Sequence, residues 1–143
     1  MRARHLARAA VVLLAANVAW RLIRYGLDFP LWGDEARVAV NFFDRDLAGL
    51  AEPLDYLQIV PVLFLWAEWL LSRVLGLGEF ALRLLPVIAG LASLFVFWRL
   101  ARASLDRRSR IAALALFAAS YYPVRHATEV KPYSLDLLVA VLL

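Results

Sequence analysis

The chain has 143 residues, of which 64% are hydrophobic and 20% charged, with a mean hydropathy of +0.70. Soluble domains carry roughly 45–50% apolar residues, and a small domain leaves much of its surface wet, so this composition disfavours a soluble globular protein and excludes disorder more firmly still. There is no Cys, hence no disulfide framework and no thiolate metal site; the net charge of +4 on so apolar a chain marks membrane-flanking loops rather than a nucleic-acid surface.

In chain order, Arg2, Arg4 and Arg8 precede an apolar run, Ala9–Trp20, which extends to Tyr25 if Arg21 and Arg24 snorkel. This resembles the opening of a signal peptide, but a small-x-small cleavage site is missing, and Asn17, Trp20 and Arg21 fit an uncleaved anchor. A second stretch, Leu57–Leu77, contains Pro61, Glu68, Ser72, Arg73 and two Trp. A third, Leu84–Trp98, is uncharged between Arg83 and Arg99, and a fourth runs from Ile111 to Val124. A fifth begins near Leu135 and is still apolar at Leu143, as expected of the N-terminal part of a larger protein.

The arginines set the expected orientation. Arg2, Arg4 and Arg8 place the N-terminus in the cytoplasm, and Arg99, Arg102, Arg107, Arg108 and Arg110 place the 99–110 linker there too. An even number of spans must then lie between them. Leu57–Leu77 would make the number odd, and Glu68 is costly at bilayer depth, so this stretch is read as a helix lying at the outer surface or shallowly re-entrant. The expectation is an all-α polytopic membrane protein with about four transmembrane helices, over 8–26, 81–101, 110–126 and 134–143, and an outer loop, 27–80, with interfacial helices. Its location would be the cell (inner) membrane, multi-pass, with a cytoplasmic N-terminus.

Two places could carry chemistry. In Trp32-Gly33-Asp34-Glu35-Ala36, Asp34 sits where a helix N-cap would, and Ala39, Phe43, Leu47 and Leu50 follow at the spacing of an amphipathic helix. Asp34 either caps that helix or, with Glu35, forms a carboxylate pair just outside the bilayer. Such a pair could take a proton from an acceptor hydroxyl or hold a divalent metal ion. At the outer end of the fourth stretch, Tyr122, His126 and Glu129 fall on one helical face, Arg125 and Glu129 are four apart, and Pro132 ends the helix. Lys131, just before that break, is the only Lys among 16 basic residues, a hint that a compact ammonium matters there and a natural phosphate contact.

The order of four motifs resembles a known family. Trp32–Ala36 comes first, then Pro53-Leu54-Asp55-Tyr56-Leu57-Gln58, then Gly78-Glu79-Phe80-Ala81-Leu82-Arg83-Leu84-Leu85-Pro86, and last Glu129-Val130-Lys131-Pro132-Tyr133-Ser134. Together they resemble the N-terminal part of the GT-C membrane glycosyltransferases, nearest to family-39-like enzymes of the protein-mannosyltransferase and aminoarabinose-transferase type. The resemblance implies transfer of a sugar from a polyprenyl-phosphate-linked sugar to a glycan, lipid or protein acceptor at the extracytoplasmic face. It maps the essential acidic residue onto Asp34, with Glu35 beside it. Many relatives carry a basic residue before the Pro-Leu of the second motif; here that place is Glu52, so Lys131 and Arg125, with Glu129 and Tyr133, stand in as the donor-binding set. The rival class is a membrane transporter or flippase subunit, which predicts ionisable residues within the spans rather than at their outer ends.

Overall fold

A computed structural model describes the backbone of residues 2–143 and the side chains from His5 onward. Among these residues the fold is all-α. Helix α1 covers Arg2–Gly26. The loop that follows carries α2 (Gly33–Ala39), α3 (Asn41–Asp44), two 3₁₀ turns (Gly49–Ala51 and Asp55–Leu57) and α4 (Val62–Leu75). Helix α5 covers Glu79–Ser104, α6 Arg107–Ala119, α7 Tyr121–Arg125 and α8 Tyr133–Leu142, with a 3₁₀ turn at His126–Thr128 between α7 and α8.

Two helices are long and apolar enough to cross a bilayer: α1 over His5–Gly26 and all of α5. At 1.5 Å per residue they measure about 33 and 39 Å, against a hydrocarbon core of about 30 Å. Val11, Val12, Ile88, Phe95 and Leu116 are exposed on the outer faces of α1, α5 and α6, as lipid contact requires. Polar side chains of α1 point inward instead. Asn17 Nδ2 donates to the Ala118 carbonyl at 3.0 Å. Arg21, fully buried, donates to the carbonyls of Gly90 at 2.7 Å and Pro123 at 3.3 Å. Gly90 is where α5 meets the 126–128 turn: a Cβ there would lie 2.6 Å from that of Ala127.

Three sequence expectations need correction. The stretch 110–126 is not one helix. Ser120 is extended (φ −67°, ψ 122°), so α6 stops at Ala119 and α7 starts afresh. The cause is Pro123, which lacks an N–H for the Ala119 carbonyl and whose ring would clash with it in a continuous helix; within the first turn of a new helix it is tolerated. The amphipathic helix through Ala39, Phe43, Leu47 and Leu50 is broken as well. Asn41 Nδ2 donates to the carbonyls of Arg37 (2.9 Å) and Val38 (3.4 Å), and Asp46 Oδ1 accepts from the Gly49 amide (2.8 Å), local bonds that compete with helix continuation. Phe43 is 59% exposed, whereas Val38, Ala39, Phe42 and Leu50 are buried. Finally, Asp34 does not cap α2. The N-cap position is Trp32, which leaves Asp34 as the second helical residue.

Helix α4 has 14 residues, about 21 Å, too short to span. Gly76, at φ 91°, stops it in a conformation that side chains disfavour. Its indoles fasten the preceding loop: Trp66 Nε1 donates to the Leu47 carbonyl at 2.7 Å and Trp69 Nε1 to that of Arg45 at 2.8 Å. The largest apolar cluster lies here, joining Val38 and Phe42 to Leu50, Phe64, Leu65, Leu82 and Val130. The packed core therefore sits beneath the 27–80 loop and seats its chemistry-bearing residues.

Glu68 of α4 is fully buried and neither carboxyl oxygen has a partner. Burial pushes its pKa up to about 9. An acid whose pKa rises on folding favours the fold most below its unfolded value, near 4.5, and that contribution is lost as pH rises towards 9. Glu68→Gln should therefore flatten the pH dependence of thermal stability between about pH 5 and 9 and stabilise the protein at the alkaline end. A wild-type melting temperature that does not fall across that range would show Glu68 to be solvated or paired.

Candidate functional site

The four sequence motifs meet in space, and the carboxylate of Glu35 is where most of their bonds converge. Glu35 is the third residue of α2, and its Oε2 accepts from the Trp32 amide at 3.2 Å, the carboxylate half of a capping box. The same carboxylate is gripped from α5 by Arg83, whose Nε lies 3.0 Å from Oε1 and whose Nη2 lies 2.8 Å from Oε2. Oε1 also accepts from the Val130 amide at 2.8 Å, across 95 residues of sequence. Arg83 donates onward to the carbonyl of Phe29. Glu35 and Arg83 are 1% and 6% exposed at the side chain, so the two-pronged ion pair is almost completely buried. Of the two predicted carboxylates, Glu35 is thus buried and fully engaged.

Asp34 points the other way. Its side chain is 31% exposed, and Oδ2 lies 2.8 Å from Nζ of Lys131, which is 7% exposed. Lys131 Nζ also donates to Gln58 Oε1 at 2.8 Å, which adds the second motif. The loop that brings Gln58 there is held by the Asp55 amide donating to Asn41 Oδ1 (3.0 Å) and by an Arg45–Asp55 ion pair (3.0 Å). An ammonium has three N–H donors, and two of them have partners here. Among the described residues, no three His, Asp or Glu side chains converge as a cation site, and the neighbour of Asp34 is itself a cation.

The second predicted group forms as well, around Glu129. Arg125 Nε donates to its Oε1, and His126 Nδ1 lies 2.6 Å from its Oε2. The Arg125 guanidinium lies 5.2 Å from the Trp32 ring centre, so it spans the first and last motifs. The His126 ring is flanked by Tyr122 at 5.6 Å and Tyr133 at 4.4 Å. Between the two groups is a cavity of about 220 Å³ walled by Arg24, Trp32, Glu35, Arg83, Arg125 and Glu129 among others. Arg24 Nε is buried without an acceptor. Sequence reasoning gave Arg83, Gln58 and Arg24 no part in the site's chemistry. Arg83 did carry a signal, as a charge placed just before the uncharged run Leu84–Trp98.

Removing one partner of a buried ion pair leaves the other charge unpaired, at a cost of about 3–5 kcal/mol. Arg83→Met should cost that much in denaturant unfolding in detergent, and Glu35→Gln combined with Arg83→Met should recover part of it. If the single variant loses less than about 1 kcal/mol, the pair behaves as a solvated surface bridge and not as the joint between α2 and α5.

A family model, dolichyl-phosphate-mannose-protein mannosyltransferase, matches residues 60–143, more than half of the chain. The match covers Arg83, Arg125, Glu129 and Lys131; Asp34, Glu35 and Gln58 precede it and are tied to it by the bonds above. No curated protein matches the chain, and no solved structure does. With its all-α architecture, two helices long and apolar enough to cross a membrane, and matched region, the chain belongs to the dolichyl-phosphate-mannose-protein mannosyltransferase family of GT-C membrane glycosyltransferases.

Proposed function

We propose that this protein transfers a sugar from a polyprenyl-phosphate donor to an acceptor at the extracytoplasmic face of the cell membrane, with Asp34 as the general base. One observation carries the reading: Asp34 is the partly exposed carboxylate of the four-motif junction, oriented through one oxygen by Lys131 and with the other unpaired among the described residues. In the step envisaged, Asp34 takes the proton of the acceptor group as that group bonds to the anomeric carbon. The anomeric C–O bond breaks, and its electron pair leaves with the polyprenyl phosphate. A phosphate leaving group needs no strong acid, and nearby positive charge suffices. The remaining N–H of Lys131 supplies it, with Arg125 as second candidate. Glu35 is a positioning residue that holds α2, and with it Asp34, against α5 and Val130.

The distribution of arginines supports this face. The 99–110 linker and the N-terminus carry the basic excess that marks a cytoplasmic side, and Asp34 lies beyond the other end of α1. The acceptor is a glycan, lipid or protein, reached from the open side of Asp34.

Asp34→Asn keeps the shape and removes the base. Turnover should fall at least about a hundredfold with expression retained, and the melting temperature should fall modestly because Lys131 loses its counterion. Retained activity would reduce Asp34 to a counterion for Lys131.

Because Lys131 also holds Asp34, its donor contact is best measured in the Asp34→Asn background, by titration with a polyprenyl-phosphate sugar. There Lys131→Ala should weaken donor binding about ten- to a hundredfold, as for a charge-assisted bond, and Lys131→Arg should retain part of it. An unshifted titration would leave Lys131 with Asp34 and Gln58 alone.

A further inference from the structure

The arginines at the far end of α5 take no part in the site above. From Arg83 to Arg102 the helix rises about 28 Å, close to the thickness of a bilayer's hydrocarbon core, so the two basic ends lie at opposite membrane surfaces. At this second end, the start of α1 and the corner between α5 and α6 enclose a groove of about 270 Å³. Leu6, Val11 and Ile111 supply an apolar part of its wall, and Arg102, Arg107 and Arg110 supply a basic part. A further recess of about 430 Å³ shares Trp98 and Arg102 and adds Arg99.

The electrostatics are one-sided. Among the described residues none of Arg99, Arg102, Arg107 and Arg110 has a carboxylate partner. The nearby acid, Asp106, is engaged as the N-cap of α6, accepting from the amides of Arg108 at 2.8 Å and Ser109 at 3.2 Å. The sequence of residues 1–4 contains no acid. The cations are also partly arranged in advance. The Arg102 guanidinium stands 5.0 Å from the Trp98 ring centre, and that of Arg99 5.9 Å from Phe95, geometry within cation–π range. Arg110 donates to the carbonyls of Arg102 (3.3 Å) and Leu105 (3.2 Å), yet its Nε is buried with no acceptor.

We propose that this groove binds an anionic phospholipid, its headgroup phosphate held by Arg102, Arg107 and Arg110 and one acyl chain lying along Leu6, Val11 and Ile111. Charge complementarity selects the headgroup, since basic pockets between transmembrane helices suit anionic lipids. The apolar wall leading from the guanidinia into the bilayer selects a lipid over a free anion, because a small anion leaves that wall uncovered. Trp98 places an aromatic ring at the depth where headgroup meets chain. The site is independent of sugar transfer, and its test needs no activity.

The test is tryptophan quenching in nanodiscs containing brominated phosphatidylglycerol or brominated phosphatidylcholine at equal mole fraction. The Trp98 contribution is taken as the difference between wild type and Trp98→Phe. The anionic lipid should quench it preferentially, and Arg102→Gln with Arg107→Gln, both at exposed positions, should weaken that preference about thirtyfold in apparent affinity, as for two arginines at a lipid surface. Millimolar inorganic phosphate at constant ionic strength should leave the preference intact. Equal quenching by the two lipids, or a preference that survives the double substitution, would overturn the site. Displacement by inorganic phosphate would identify a small-anion site and overturn the lipid.

Discussion

The junction depends on a single buried carboxylate. Glu35 accepts from a guanidinium on α5, from an amide at the head of its own helix and from an amide just before α8. Each bond crosses a different boundary of the chain, so α2 cannot turn without breaking several together. A buried ion pair is weak evidence of net stability, but it specifies geometry well when every lone pair has a partner. Here the consequence appears one residue away. Asp34 shares the first turn of α2 with Glu35, so fixing one carboxylate inward aims its neighbour outward, towards Lys131. The adjacent pair divides its labour because consecutive helical residues face different directions.

The other buried charges obey the same rule less completely. Arg21 has no carboxylate and bonds to two backbone carbonyls, of Gly90 and Pro123. Pro123 lies in the short helix after the break at Ser120, and Gly90, inside α5, lies at the close approach of that helix to Ala127. A spanning helix offers few spare acceptors, because its carbonyls are engaged internally; the interruption at Ser120 brings backbone acceptors within reach of α1. Glu68 has no such relief, and burial holds it in its neutral form over most of the physiological range.

Much of this was legible in the sequence, and the failures share a cause. Charge parity predicted a surface helix over Leu57–Leu77, and α4 occupies that stretch at a length too short to span. The Arg125–Glu129 pairing and the place of His126 beside it were read from helical spacing, and the contacts form although the helix expected to run to Pro132 ends at Arg125 and Glu129 is extended. Periodicity misled where one local signal outweighed it. Pro123 lies inside an apolar run that otherwise reads as a span, and the Asn41 side chain captures carbonyls that a longer α2 would have used. The bonds of Glu35 could not be read from sequence, because they join residues 48 and 95 positions apart and local pattern carries no information about such pairings.

The choice of basic residue at the junction follows from the acceptors. Arg83 meets both oxygens of one planar carboxylate, and a guanidinium matches that geometry with two parallel donors. Lys131 meets two acceptors on different elements, Asp34 of α2 and Gln58 of the loop before α4. These are not coplanar partners on one group, and a compact ammonium on a flexible stem satisfies them without imposing a plane. An arginine at 131 would carry its charge in a broader fork, in a site that leaves the side chain only 7% exposed. The lone Lys in an arginine-rich chain is thus explained by geometry: it stands where one cation must serve a carboxylate and a side-chain amide on different elements.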